Sequence, residues 1–128
     1  MEEILTGVSW LAVIVGAVVS FLVGWLWYSP KLFGTKWAEG VGVNLGDANE
    51  MPKAAMISQF LGLFLMSWFV SVTAASNLLL TVILATVAFT VMGYAGNAFA
   101  GHSNYARNVN AGYWIVALVI MVICNGIF

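Results

Sequence analysis

The sequence predicts an all-α membrane protein in which four transmembrane helices form an antiparallel bundle joined by short loops. Of its 128 residues, 62% are hydrophobic and only 7% are charged, whereas a soluble domain carries about 25% charged residues. A hydrocarbon core about 30 Å thick requires about 20 apolar residues in a helix, and four stretches meet or approach this length. We therefore expect a single domain over residues 1–128, with spans at about 4–28, 54–75, 78–100 and 111–128.

The first span is expected to stay in the protein instead of being cleaved as a signal peptide. Signal peptides start with basic residues and end at small ones, but here the start is acidic, with Glu2 and Glu3, and the apolar run ends in bulky aromatic residues. Ser29-Pro30 should end the helix, because proline disfavours helical geometry in the preceding residue.

The same span carries small residues at intervals of four, which places them on one face of a helix. This helix-packing seam comprises Ala12, Gly16, Ser20 and Gly24. In lipid, small residues let helix backbones approach closely, and van der Waals packing then stabilises the contact. The seam can serve packing within one chain or contact with a second copy.

The remaining spans have recognisable ends. Pro52 fits the first turn of the second helix, where a missing N–H costs nothing, and a longer first cytoplasmic loop precedes it. Asn77 is a candidate N-cap for the third helix, and Asn108 or Asn110 for the fourth. Gly101 is suited to closing the third helix.

The basic residues predict the orientation. All four of them lie in the loops after spans one and three: Lys31, Lys36, Lys53 and Arg107. Cytoplasmic loops are enriched in Lys and Arg, so both loops are expected in the cytoplasm and both termini outside it.

Span three has a polar side that is a candidate ligand or pore surface: Thr86, Thr90, Tyr94 and Asn97. Lipid cannot satisfy such groups, so they should face the bundle or a cavity. They can form interhelical hydrogen bonds, each contributing about 0.6 kcal/mol, or line a pathway for a small solute. No Asp, Glu, Lys, Arg or His lies in the middle of a span, which disfavours proton-coupled export.

The sequence predicts no catalytic residue, metal site or cofactor. His102 is the only histidine, and no cysteine or carboxylate lies near it in sequence to complete a metal-ligand set. The net charge is −1 with no basic patch, so nucleic acid is not an expected partner.

Two segments are distinctive. The first is GWLWYSPKLFGTKW, with Trp27, Tyr28, Ser29, Pro30, Phe33, Gly34 and Trp37; the second is NAGYW, which starts at Asn110 and includes Tyr113. Both resemble the signature of a small bacterial membrane-protein family known only as a domain of unknown function. The resemblance implies a four-span fold in a bacterial inner membrane and supplies no activity or substrate.

The two segments are expected to meet at the cytoplasmic face, where they form a candidate cluster: Tyr28, Ser29, Pro30, Trp37, Asn110 and Tyr113. We hypothesise that Tyr28, Asn97, Asn110 and Tyr113 form hydrogen bonds that join the helix ends.

Three classes of function remain open. The first is a non-catalytic bundle that self-associates or serves as an accessory subunit of a larger membrane complex. The second is a small oligomeric channel or carrier for a small solute, and the third is a membrane enzyme. The expected partners are membrane lipid and either further copies of the chain or other membrane-protein subunits.

Overall fold

The fold is described from a computed structural model, which covers residues 2–43 and 53–128. Within these ranges the chain forms six helices: α1 Glu2–Leu5, α2 Trp10–Trp27, α3 Gly34–Val41, α4 Lys53–Ala75, α5 Leu79–Phe99 and α6 Asn104–Ile127. Four of them, α2, α4, α5 and α6, are long and apolar enough to cross a membrane. The predicted all-α fold with four membrane-length helices is confirmed. Pro52 and residues 44–51 before it lie outside the described residues.

The first long helix begins at Trp10, because the preceding backbone turns at Gly7, where φ is +74°. Ser9 caps α2, and its Oγ accepts a hydrogen bond of 3.3 Å from the backbone N–H of Ala12. The short helix α1 lies against α4, where the indole Nε1 of Trp68 donates to the carbonyl of Ile4 at 2.7 Å. The start of the chain is thereby attached to the far end of α4.

Two predicted caps were wrong. Asn77 has a left-handed φ of +58° and lies in the turn between α4 and α5, while Leu78 occupies the N-cap position of α5. Asparagine tolerates this backbone conformation better than most residues. The cap of α6 is Ser103, whose Oγ accepts from the N–H of Ala106 at 3.1 Å. The polar residues that follow, including Asn110, therefore belong to the helix.

The helix α6 lies at the centre of the bundle and contacts α2, α3, α4 and α5, while α2 also packs along α4. The buried core comes from α4, α5 and α6: Leu63, Val70, Val82, Tyr113, Ala117, Leu118 and Met121. The helix α5 is the outermost of the four long helices, and of its residues only Val82 and Thr86 are buried. Ala12, Val13 and Ala17 of α2 are buried as well, so most of the buried residues lie on α2, α4 and α6.

The helix-packing seam of α2 faces α4 and α6, and its four residues Ala12, Gly16, Ser20 and Gly24 are buried. A Cβ added at Gly16 would lie 2.8 Å from Ser67 Oγ, and this hydroxyl donates to the Val13 carbonyl at 2.8 Å. A Cβ added at Gly24 would lie 2.7 Å from the Tyr113 hydroxyl. The seam is thus occupied within the chain and offers no face to a second copy.

Replacing Gly24 with Ala should lower the melting temperature, because the new methyl group must displace the Tyr113 ring, which is 1% exposed. Overpacking of this kind costs about 1–3 kcal/mol. Gly62→Ala in α4 is the matched control, since no atom lies within 4 Å of a Cβ added there. Thermal melts followed by circular dichroism in detergent measure both variants. Equal melting temperatures for the two would contradict this account of the seam.

Candidate functional site

A tight turn after α2 folds the chain back toward the bundle. The Ser29 hydroxyl donates to the Leu26 carbonyl at 2.7 Å, and the Ser29 carbonyl accepts from the N–H of Gly34 at 2.9 Å. Pro30 follows directly, and the buried Gly34 starts α3. A side chain at Gly34 would overlap the backbone of Tyr28 and Ser29. This turn fixes the position from which α3 starts.

The side chain of Asn110 joins three helices. Its Oδ1 accepts a hydrogen bond of 2.7 Å from the Tyr28 hydroxyl and one of 3.0 Å from the Trp37 indole N–H. Tyr28 is the C-cap of α2, Trp37 belongs to α3, and Asn110 lies in α6. A carbonyl oxygen has two lone pairs, so this one acceptor serves both donors.

Tyr113 belongs to the same cluster and connects α6 to α2. Its hydroxyl donates to the Ser20 carbonyl of α2 at 2.7 Å. Its ring meets the Tyr28 ring edge to face at 5.7 Å between centroids, and the Tyr28 ring in turn contacts Trp37 at 4.9 Å. Such pairs contribute about 0.5–1.5 kcal/mol beyond the burial of their area.

Gly112, in the second distinctive segment, leaves space for the ring of Trp27. The Trp27 indole N–H donates to the Val109 carbonyl at 3.0 Å, and its ring passes over Gly112, where an added Cβ would lie 3.2 Å from Trp27 Cζ2. Asn110, Gly112 and Tyr113 thus have distinct roles: acceptor, space for Trp27, and donor to α2. Sequence reasoning placed Trp27 in the first distinctive segment but did not predict its contact with α6.

The structure brings Tyr28, Trp37, Asn110 and Tyr113 together, but it does not bring Asn97 into this cluster. The backbone carbonyl of Asn97 accepts from the N–H of His102 at 3.0 Å, which closes the end of α5. No described residue forms a hydrogen bond with the Asn97 side chain, so the hypothesis that it joins the cluster needs correction.

The polar side of α5 turns toward α6. Thr86 is buried, and Thr90, Tyr94 and Asn97 are half-buried. The guanidinium of Arg107 lies over the Tyr94 ring, with its Cζ 5.0 Å from the centroid. Sequence reasoning missed this contact between α5 and α6, because Arg107 was assigned to the loop before the last span and lies instead in α6.

The hydrogen bonds of this cluster connect neighbouring helices. Its hydroxyl and indole donors are engaged with protein acceptors. Over residues 2–43 and 53–128, no group of three or more His, Cys, Asp or Glu side chains is placed to hold a metal ion. The cluster joins the ends of α2 and α6 to α3.

The chain matches a known protein family over most of its length. A family model described as a protein of unknown function (DUF1761) matches residues 11–126, a range that includes both distinctive segments. Neither the curated proteins nor the solved structures contain a match to the chain. The predicted resemblance to a family of unknown function is confirmed.

Replacing Asn110 with Ala should lower the melting temperature more than replacing Tyr28 with Phe. The first change leaves two donors without their acceptor, at a cost of about 1–3 kcal/mol, whereas the second removes one hydrogen bond, at about 1 kcal/mol. Tyr105→Phe, at a side chain 38% exposed, is the control and should change stability by less than about 0.5 kcal/mol.

The two changes should also be coupled, because they share one hydrogen bond. Tyr28→Phe is expected to cost less in the Asn110→Ala background than in the native chain. Thermal melts of the native chain, the two single variants and the double variant provide the double-mutant cycle. If the two losses of stability were strictly additive, Asn110 and Tyr28 would act independently, and this would contradict the hydrogen bond between them.

Proposed function

The chain belongs to this protein family of unknown function (DUF1761), and we propose that it is a non-catalytic membrane bundle that associates with a second copy of itself. The packing seam of α2 is filled within the chain. A second copy must therefore use another face, and α5 is the long helix with the fewest buried residues.

One side of α5, here called the glycine face, is suited to such a contact. It consists of Phe89, Gly93, Gly96 and Ala100, which follow one another at intervals of three or four and are exposed. A Cβ added at Gly93 or Gly96 would meet no atom within 4 Å. Exposed glycines on a membrane-length helix are the observation that carries the proposal, because small residues are enriched where such helices meet.

The face is apolar as well as open. Phe89 is 65% exposed and the neighbouring Met92 is 59% exposed. Lipid can cover such side chains, but lipid tails cannot match the shape of a groove above two glycines as a partner helix can. A second α5, with the same glycines, would bring two backbones into close contact.

Gly96→Leu should weaken association, because the larger side chain holds the two helices apart. Gly126→Leu in α6 is the matched control, since a Cβ added there also meets no atom within 4 Å. Single-molecule photobleaching of labelled chains in liposomes, at increasing lipid dilution, counts the chains in each complex. We expect two chains for the native and Gly126→Leu proteins and one for Gly96→Leu.

A native chain that stays single at every dilution would overturn self-association. Recovery of a larger complex from the source membrane, with the chain single in liposomes, would indicate an accessory subunit instead. Equal loss of association in both variants would show that the glycine face is not the surface through which two copies meet.

For orientation, we propose that the end carrying Lys31, Lys36, Lys53 and Arg107 lies in the cytoplasm and that both termini lie outside. The support is the positive-inside rule, together with contacts that join α3 to this end of the bundle. Among these, the Gly40 carbonyl accepts from the N–H of Ser103 at 3.0 Å. We call this the basic end.

Impermeant maleimide labelling of right-side-out vesicles tests the orientation in a Cys124→Ala background. Glu3→Cys should be labelled at once, and Thr35→Cys only after the vesicles are opened. Both positions are exposed in the fold, so they are matched for access. The reverse pattern would place the basic end outside.

A further inference from the structure

Within residues 2–43 and 53–128, the contacts of the Arg107 guanidinium are with neutral groups. Its Cζ lies 5.0 Å from the centroid of the Tyr94 ring, and its Nη2 donates to Asn104 Oδ1. Its Nε is buried and has no hydrogen-bond partner among the described residues. An arginine remains protonated under all ordinary conditions, so its positive charge requires compensation from elsewhere.

The sequence around Arg107 supplies no negative charge. From Met51 to Phe128 the chain contains no Asp or Glu, so α4, α5 and α6 have no acidic side chain. Glu39 on α3 is exposed, at the same end of the bundle. Asp47 and Glu50, which lie outside the described residues, are the remaining acids of the connector before α4.

Other buried polar side-chain atoms also lack hydrogen-bond partners. Buried side-chain atoms with no hydrogen bond in the described part of the chain are Ser20 Oγ, Thr90 Oγ1, His102 Nδ1 and Arg107 Nε. Three of these four belong to the segment from the second half of α5 to the first turn of α6, on either side of Tyr94. Buried polar groups are nearly always paired, and unpaired ones often indicate an absent ligand or water.

We propose that the basic end binds the phosphate of an anionic phospholipid headgroup through Arg107. The phosphate layer of a bilayer lies at the ends of membrane-length helices, which is where Arg107 is found in α6. Guanidinium groups bind phosphate oxygens through paired, charge-assisted hydrogen bonds. Arg107 has further N–H donors besides the one that is bound to Asn104.

A second cation lies on the neighbouring helix at the same end. Lys36 of α3 lies with its Nζ 5.5 Å from the ring centroid of Tyr105, and Tyr105 is close to Arg107 in sequence. The hydrogen bond between Trp37 and Asn110 holds α3 against α6. The surface thus presents positive charge beside aromatic rings, a combination suited to the headgroup layer. This proposal is independent of self-association, because it concerns a single chain.

Native mass spectrometry from detergent tests it with phosphatidylglycerol and phosphatidylcholine of identical acyl chains. The native protein should retain one phosphatidylglycerol in preference to phosphatidylcholine. Arg107→Gln should weaken this retention about tenfold, as loss of a charge-assisted hydrogen bond implies. Arg107→Lys should keep part of the preference, since it keeps the charge. Lys31→Gln, at an exposed position of the turn after α2, is the matched control and should change little.

Several results would overturn the proposal. Equal retention of both lipids by the native protein would remove it even if Arg107→Gln failed to fold. So would an equal loss in Lys31→Gln, which would indicate a diffuse charge effect. Inorganic phosphate that raises the melting temperature as much as phosphatidylglycerol would identify a site for free anions. Arg107→Gln could also lower the melting temperature of the native chain but not that of a chain in which Asp47 and Glu50 are changed to Asn and Gln. Arg107 would then form an ion pair within the chain, and the lipid proposal would fail.

Discussion

The close approach of α2 to α6 at Gly24 is the constraint on which the rest of the basic end depends. Because Gly24 has no side chain, the Tyr113 ring can lie against α2, and its hydroxyl can reach the Ser20 carbonyl at 2.7 Å. That contact sets the rotation of α6 and thereby presents Asn110 to the end of α2. The hydrogen bonds from Tyr28 and Trp37 then fix α3. A packing contact between two helices thus positions a polar cluster at the surface.

Much of the fold could be predicted from the sequence, because the length of apolar segments is a direct physical requirement of a bilayer. The small-residue face of α2 was also identified in the sequence, and the contact of Tyr28 with Asn110 was a hypothesis drawn from it. The start of α6 was not, because residues 104–110 are polar and were interpreted as a loop. They form the first turns of α6, before the apolar stretch. Ser103 caps this helix, and α3 packs against it.

The candidate site was predictable in its members more than in its geometry. Asn97 was expected to join Tyr28 and Asn110, but the rotation of α5 about its axis is set by packing against α6. The polar side of α5 indicated which side should face the bundle, but not which side chain of a neighbouring helix each of its residues meets. The stacking of Arg107 on Tyr94 was missed because Arg107 was assigned to the loop before the last span. Contacts between particular side chains of neighbouring helices require three-dimensional information.

The distribution of the indole rings has a practical consequence. Trp27 and Trp37 are hydrogen-bonded at the basic end, while Trp10 and Trp68 contact each other at the opposite end, with centroids 5.3 Å apart. Each end of the bundle therefore contains its own intrinsic fluorophores. Substituting Trp10 and Trp68 by Phe would leave Trp25, Trp27, Trp37 and Trp114, which lie in the half of the bundle nearer the basic end. Loosening of that half could then be observed from intrinsic emission without attaching a dye.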